Sequence, residues 1–311
     1  MNSQLSVLFL FIAGLLATFS SSASEVQLAS VHAAIGDLST GKLLHTKNAE
    51  LTVPIASVTK LMTAMVVLDG GQPLDEQITI LGWQQKTDKN GYSRIRVDSR
   101  SRRDQLLKLA LMSSENLASH TLARHYPGGF DAFVVAMNEK AEALGMTSSR
   151  FDDPTGLSLG NVASAEDLWK MLAAAHDYEE IRAYSTTYQH QASFSGPRYR
   201  LAYGNTNPLT ASSRWDVQLS KTGYLKEAGR CLVMVAEVEG KPIGMVFLNS
   251  FGTRTPLGDA GRTRRWLTTG EAGRVAGAAR DYEQSMVRSL PSGGASRDGA
   301  SGDGASGDAD D

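Results

Sequence analysis

The chain has a single cysteine, Cys231, among its 311 residues, so no internal disulfide can form and the fold must stand on its core. With no cysteine near position 24, lipid attachment behind a cleaved leader is excluded as well. Metal-site patterns are missing. There is no H-E-x-x-H, and His32, His45, His120, His125, His176 and His190 are scattered without cysteine partners. A metal hydrolase is disfavoured, and neither a metal nor a cofactor is expected. No basic run follows a phosphate backbone, and a net charge of −2 leaves nucleic acid no footprint. The densest patch, "SRSRRDQ" from Ser99, leads into a helix and reads as solvated surface. Beyond the N-terminus no segment is long and apolar enough to span a membrane.

What is present begins at the two ends. "MNSQLSVLFLFIAGLLATFSSSASEVQ" has an apolar core from Leu5 to Ala17, and small residues place Ser21 and Ala23 for cleavage after Ala23. Residues 1–23 are expected to be a secretory signal peptide. No lysine or arginine precedes the apolar core, so an uncleaved anchor stays open as the alternative. After Leu290, "PSGGASRDGASGDGASGDADD" has no apolar residue larger than alanine, and 291–311 is expected to be a disordered tail. Residues 24–290 suffice for one domain with a sub-domain.

Within that domain, "SVHAAIGDLSTGKLLHTKN" alternates on either side of a turn and predicts two strands. A helix is predicted from Ser57 to Gly70-Gly71, and two more on either side of a break at "SSEN". "GFDAFVVAMNEKAEALGM" predicts an amphipathic helix closed by Gly145, "FDDPTGLSLGN" a turn-rich loop, and "SAEDLWKMLAAAH" a helix with an acidic first turn. "RCLVMVAEVEG" and "KPIGMVFLNS" are strands joined at Gly240-Lys241, and a helix closes the domain. The layout is α+β: a mainly antiparallel sheet built from both ends of the domain and flanked by helices, with an all-helical insert over about 75–213.

The chemistry-bearing candidates start with Ser57 and Lys60 in "PIASVTKLMTAMVVLDG". S-x-x-K arises about once by chance in a chain of this length, and Ser39–Lys42 supplies a decoy in a turn. On spacing alone, Ser57 reads as a helix cap. On a helix, however, the two side chains share a face. Burial would favour a neutral lysine, which could take the serine proton beside helix N–H groups that stabilise negative charge.

Such an engine needs a relay and a grip. Ser114-Glu115-Asn116 is the chain's only S-x-N and falls between two apolar helices. Its hydroxyl could pass a proton and its amide could hold the lysine, although taken alone it reads as a cap. Lys221-Thr222-Gly223 is the only K-T-G and is placed at the start of a strand. Lysine and hydroxyl together suit a carboxylate, and the glycine admits a substrate backbone.

S-x-x-K, S-x-N and K-T-G in this order resemble the motif set of the penicillin-binding proteins and serine β-lactamases. The resemblance runs from about Val31 to Trp266, and "FDDPTGLS", "SAEDL" and "LSKTGY…AGRCLVM" are similar to the low-molecular-mass D-Ala-D-Ala peptidases. It is nearest to D-alanyl-D-alanine endopeptidases of the penicillin-binding protein 7/8 type, which lack the extra C-terminal β-domain and membrane-associating helix of the carboxypeptidases. The resemblance implies a fold of that class and a periplasmic location, at most loosely at the membrane. The implied partners are peptidoglycan peptide stems and, as covalent inhibitors, β-lactam antibiotics. It implies Ser57 as nucleophile, Lys60 as general base, Ser114 as relay and Asn116 as the orienting amide. Lys221, Thr222, Gly223 and Tyr224 would bind substrate, with the N–H groups of Ser57 and Tyr224 forming an oxyanion hole.

Leu225 stands where relatives often carry threonine or serine after K-T-G-Y, which removes a hydroxyl contact. Alternatives stay open at this point. One is a carboxypeptidase trimming pentapeptides, which needs the same groups. A β-lactamase is another, disfavoured because no E-x-x-L-N lies between Asn116 and Lys221 and Glu166 falls at a helix start. The third is a cell-wall-binding or penicillin-sensing module that acylates without turnover. Arg198, Arg200 and Arg214 could meet substrate carboxylates or be surface charges. Oligomeric state is not readable.

Overall fold

A glycine pair and a tryptophan set the centre of the molecule. In the computed structural model, which describes residues 25–83, 91–271 and 273–290, Gly36 and Gly244 lie opposite each other on adjacent strands. A Cβ at Gly36 would stand 2.6 Å from the Trp169 ring, and one at Gly244 3.0 Å from its Nε1. The two missing side chains let a helix lie close on the sheet.

The elements run as follows. β1 (His32–Asp37), β2 (Lys42–Lys47) and β3 (Val53–Pro54) lead into a 3-10 turn, Ala56–Thr59, and helix α1 (Lys60–Asp69). Next come β4 (Gln77–Thr79), β5 (Arg100–Arg102), α2 (Arg103–Met112), α3 (Asn116–Arg124) and α4 (Gly129–Ala143). β6 (Val162–Ala163), α5 (Ala165–His176) and α6 (Glu179–Thr186) precede the hairpin β7 (Gln189–Phe194) and β8 (Tyr199–Gly204). The chain closes with β9 (Val217–Leu225), β10 (Gly229–Val238), β11 (Lys241–Ser250), α7 (Thr255–Thr269) and α8 (Gly277–Arg288).

The main sheet has the order β2-β1-β11-β10-β9 and is antiparallel throughout. Alternate residues of its central strands feed two cores, since successive side chains face opposite sides. Ala34, Val233 and Val246 join a large core with α1 to α5, whereas Ala33, Ile35, Met234 and Phe247 face α7. The fold is thus α+β with the sheet drawn from both ends of the domain.

Helices dominate the insertion expected over about 75–213, but it is not purely helical. It also carries β4–β5, β6 paired with β3, and the hairpin β7–β8. The hairpin's signal was present in "QHQASFSGPRYRLAYG", where Ala192, Phe194 and Tyr203 turn inward around a Ser-Gly-Pro turn. α5 belongs to the sheet layer, because Trp169 packs on β1 and β11. Residues 1–23, expected to be a signal peptide, and 291–311, expected to be a tail, lie outside the described residues. Among those described, no helix is long and apolar enough to cross a membrane.

Candidate active site

The chain brings its three motifs together around the free edge of β9. The motif serine is not a cap. Ser57 lies in the 3-10 turn ahead of α1, and the capping position of α1, Thr59, makes no side-chain cap bond. Ala56 carries φ 49°, a left-handed conformation for a non-glycine residue. This turn aims Ser57 Oγ inward. Lys60 Nζ reaches it at 2.9 Å and also donates to Asn116 Oδ1 at 2.7 Å and to the Thr155 carbonyl at 2.6 Å.

Those partners select a direction. A neutral amine has two N–H bonds and one lone pair. Asn116 Oδ1 and the Thr155 carbonyl can only accept, so they take the two N–H bonds and the lone pair is left facing Ser57. Burial draws the Lys60 ammonium down to about 7, against the pull of Asp153 and Glu115. A lysine so placed can act as a base near neutral pH.

Ser114 occupies the break between α2 and α3 with φ 60°. The cap of α3 is Glu115, whose side chain accepts from Leu117 N, so Ser114 is free to face the cleft. Its Oγ accepts from Lys221 Nζ at 3.0 Å. Lys221 is buried, and burial and the like charge of Lys60 hold it well below the usual lysine range. The K-T-G stands in the middle of nine-residue β9 rather than at its start, at the outer edge of the sheet. Gly223 presses on the nucleophile turn: a Cβ there would stand 3.0 Å from the Ile55 carbonyl and 3.1 Å from Ser57 N.

Ser57, Ser114, Asn116, Thr222, Gly223 and Tyr224 line one cleft of about 570 Å³, with Lys60 and Lys221 buried in its floor. Every residue singled out in the three motifs is therefore at this site. Sequence reasoning did not find Thr206, whose Oγ1 accepts from Thr222 Oγ1 at 2.7 Å, nor Leu157. It also missed two cleft cations, Arg230 and Arg254. The Arg230 guanidinium lies 3.8 Å from the Tyr224 ring centroid. Antiparallel register carries the signal for it, since Arg230 pairs with Tyr224 across β10 and β9. Arg198, Arg200 and Arg214 are exposed and outside the cleft lining. Glu166 sits in the first turn of α5, also away from the lining. No group of three or more His, Cys, Asp or Glu among the described residues is arranged to hold a metal.

A sheet edge facing a helical layer, with serine and lysine at their junction, defines the penicillin-binding-protein class of serine peptidases. The chain belongs to the D-alanyl-D-alanine carboxypeptidase family, whose model matches residues 18–252. It is 46% identical over 272 residues to a D-alanyl-D-alanine endopeptidase of Escherichia coli, covering 88% of each chain. To the endopeptidase of that name from Pseudomonas aeruginosa it is 48% identical over 265 residues, 85% of each. The crystal structure of the Streptomyces K15 DD-transpeptidase is similar with TM-score 0.72 and 26% identity, over 84% of this chain and 99% of that one.

Proposed function

We propose that this chain is a periplasmic serine endopeptidase that opens the D-Ala to meso-diaminopimelate cross-links of bacterial peptidoglycan, and that β-lactams acylate it. The observation that carries the reading is the placing of Lys60 Nζ, which is held by Asn116 Oδ1 and the Thr155 carbonyl and lies 2.9 Å from Ser57 Oγ. Lys60 takes the Ser57 proton as Oγ attacks the D-Ala carbonyl. The N–H groups of Ser57 and Tyr224 receive the oxyanion, each worth about 3 kcal/mol. Ser114, hydrogen-bonded to Lys221, passes a proton to the leaving amine. Water then attacks the acyl-ester with Lys60 as base. Lys221 and Thr222 hold the carboxylate of the leaving residue, and Arg230 and Arg254 add positive charge on that side.

The endopeptidase reading draws on the names of the two relatives that share nearly half of its residues. Carboxypeptidase activity stands beside it because the family description names that reaction. Periplasmic location draws on the N-terminal apolar segment.

The test is intact mass after incubation with benzylpenicillin, peptide mapping, and Ser57→Ala as control. A stable adduct on Ser57 is expected, followed by cleavage of cross-linked muropeptide dimers faster than of pentapeptide monomers. Intact drug with no adduct would overturn the reading, and hydrolysed drug would make the chain a β-lactamase. Preference for monomers would make it a carboxypeptidase. An adduct without muropeptide turnover would leave a sensing module.

A further inference from the structure

One carboxylate outside the three motifs governs the surroundings of the nucleophile. Asp153 lies half-buried in the loop "FDDPTGLS". Its Oδ1 accepts from Thr155 N at 2.5 Å, Thr155 Oγ1 at 2.6 Å and Gly156 N at 2.8 Å, and its Oδ2 accepts from Ser158 N at 2.6 Å. Four donors on one side chain fix the loop as a tight turn.

That turn reaches Ser57 in two ways. It aims the Thr155 carbonyl at Lys60 Nζ, 2.6 Å away, and brings it within 3.4 Å of Ser57 Oγ. It also lays Gly156 on the nucleophile's backbone, so closely that a Cβ there would stand 1.9 Å from the Ala56 carbonyl oxygen and 2.8 Å from Ser57 N. Two bonds fasten the loop to the same segment: Asn161 Nδ2 donates to Thr59 Oγ1 at 3.1 Å, and Thr63 Oγ1 donates to the Pro154 carbonyl at 2.7 Å.

We propose that Asp153 is a positioning residue for the Ser57–Lys60 pair: its carboxylate holds the Thr155–Gly156 turn that fixes where the lysine's lone pair points and where the serine sits. Thr155 supplies one of the two acceptors that occupy the lysine's N–H bonds. If that carbonyl turns away, the lone pair has two directions and only one of them is productive.

The carboxylate also acts through its charge. Asp153 and Glu115 favour the Lys60 ammonium against burial, while Lys221 faces the same pocket from β9. Removing the Asp153 anion should let Lys60 lose its proton more easily. A purely structural residue would not move that titration.

The inference rests on acylation at Ser57, and the test separates the two. Acylation rates by a fluorescent penicillin are measured from pH 5 to 9 on the full chain. If the wild type forms no adduct, the functional reading fails, and this inference with it. If it does, Asp153→Asn is expected to acylate about tenfold or more slowly at its optimum, because positioning errors of an ångström cost that much or more. Its acid limb is expected to move to lower pH. Asp153→Glu keeps the charge with the wrong reach, and should restore the wild-type limb at a reduced rate. Thr155→Val removes one of the four bonds and no charge, and should slow acylation with the limb in place. This variant keeps the proposal testable should Asp153→Asn fail to fold. An Asp153→Asn rate within twofold of wild type with an unmoved limb would overturn the proposal, as would a limb moved to higher pH. So would a wild-type rate in Thr155→Val.

Discussion

Lys60 opposes the charging of Lys221 across the floor of the cleft. Both side chains are buried, one hydrogen-bonded to Ser57 and the other to Ser114. Burial disfavours two ammonium groups in one pocket, and their repulsion adds to it. Protons on such a pair belong to the pair rather than to either residue.

A carboxylate entering the cleft would change that balance. An anion beside Lys221 raises its proton affinity, so anionic ligands should bind with proton uptake near neutral pH. Calorimetry of benzylpenicillin with Ser57→Ala, which cannot be acylated, checks this in two buffers of different ionisation enthalpy. Uptake of part of a proton is expected, and its loss in a Ser57→Ala/Lys221→Gln double variant. Binding without uptake would remove Lys221 as the carboxylate's partner.

Gly223 and Gly156 both press on the nucleophile turn, and their alanine variants should fail differently. At Gly223 a Cβ meets the Ile55 carbonyl at 3.0 Å and Ser57 N at 3.1 Å, so a shift of a few tenths of an ångström accommodates it. Gly223→Ala should fold but acylate about a hundredfold more slowly. At Gly156 the Cβ would overlap the Ala56 carbonyl at 1.9 Å with φ at +81°. Gly156→Ala should lose about 3 kcal/mol or more of stability in addition. Paired urea unfolding and acylation rates distinguish the two.

The motifs were legible because side-chain chemistry is local in sequence: Ser57 and Lys60 are three residues apart, and Lys221, Thr222 and Gly223 are consecutive. The sheet's strands were legible from alternation and from the turns at Gly41 and Gly240. Three things were not. Ser57 read as a helix cap on spacing alone, because a 3-10 turn with Ala56 in a left-handed conformation has no periodicity to betray it. Thr155 was invisible because its backbone, not its side chain, meets Lys60. Arg230 and Thr206 reach the cleft through strand register and loop packing, which are long-range facts.

Arg230 tests whether the cleft distinguishes leaving groups by charge. Its guanidinium stacks on Tyr224, and no carboxylate among the described residues forms an ion pair with it. Arg230→Gln should raise KM about tenfold for a peptide whose leaving residue carries a free carboxylate, with kcat little changed. The amidated form of the same peptide should be nearly indifferent to the substitution. Equal effects on both peptides would make Arg230 a packing residue for Tyr224.

Lys60 also sets a cost in stability whose pH dependence has a definite sign. The unfolded chain keeps the lysine proton up to 10.5, whereas the folded chain loses it above about 7. Between those values the unfolded state binds more protons, so stability rises with pH. Below 7 both states hold the proton, and the full cost of burying the ammonium is present, with repulsion from Lys221 added. Lys60→Met removes this cost. It also strands the acceptors Asn116 Oδ1 and the Thr155 carbonyl, but that penalty does not titrate in this range. The stability of Lys60→Met relative to wild type should therefore be highest at pH 6 and fall steadily toward pH 10. Urea midpoints of both proteins at pH 6, 7.5, 9 and 10 measure the difference. A constant difference would mean that Lys60 titrates alike in the folded and unfolded chains. Its lone pair would then be unavailable to Ser57 at neutral pH.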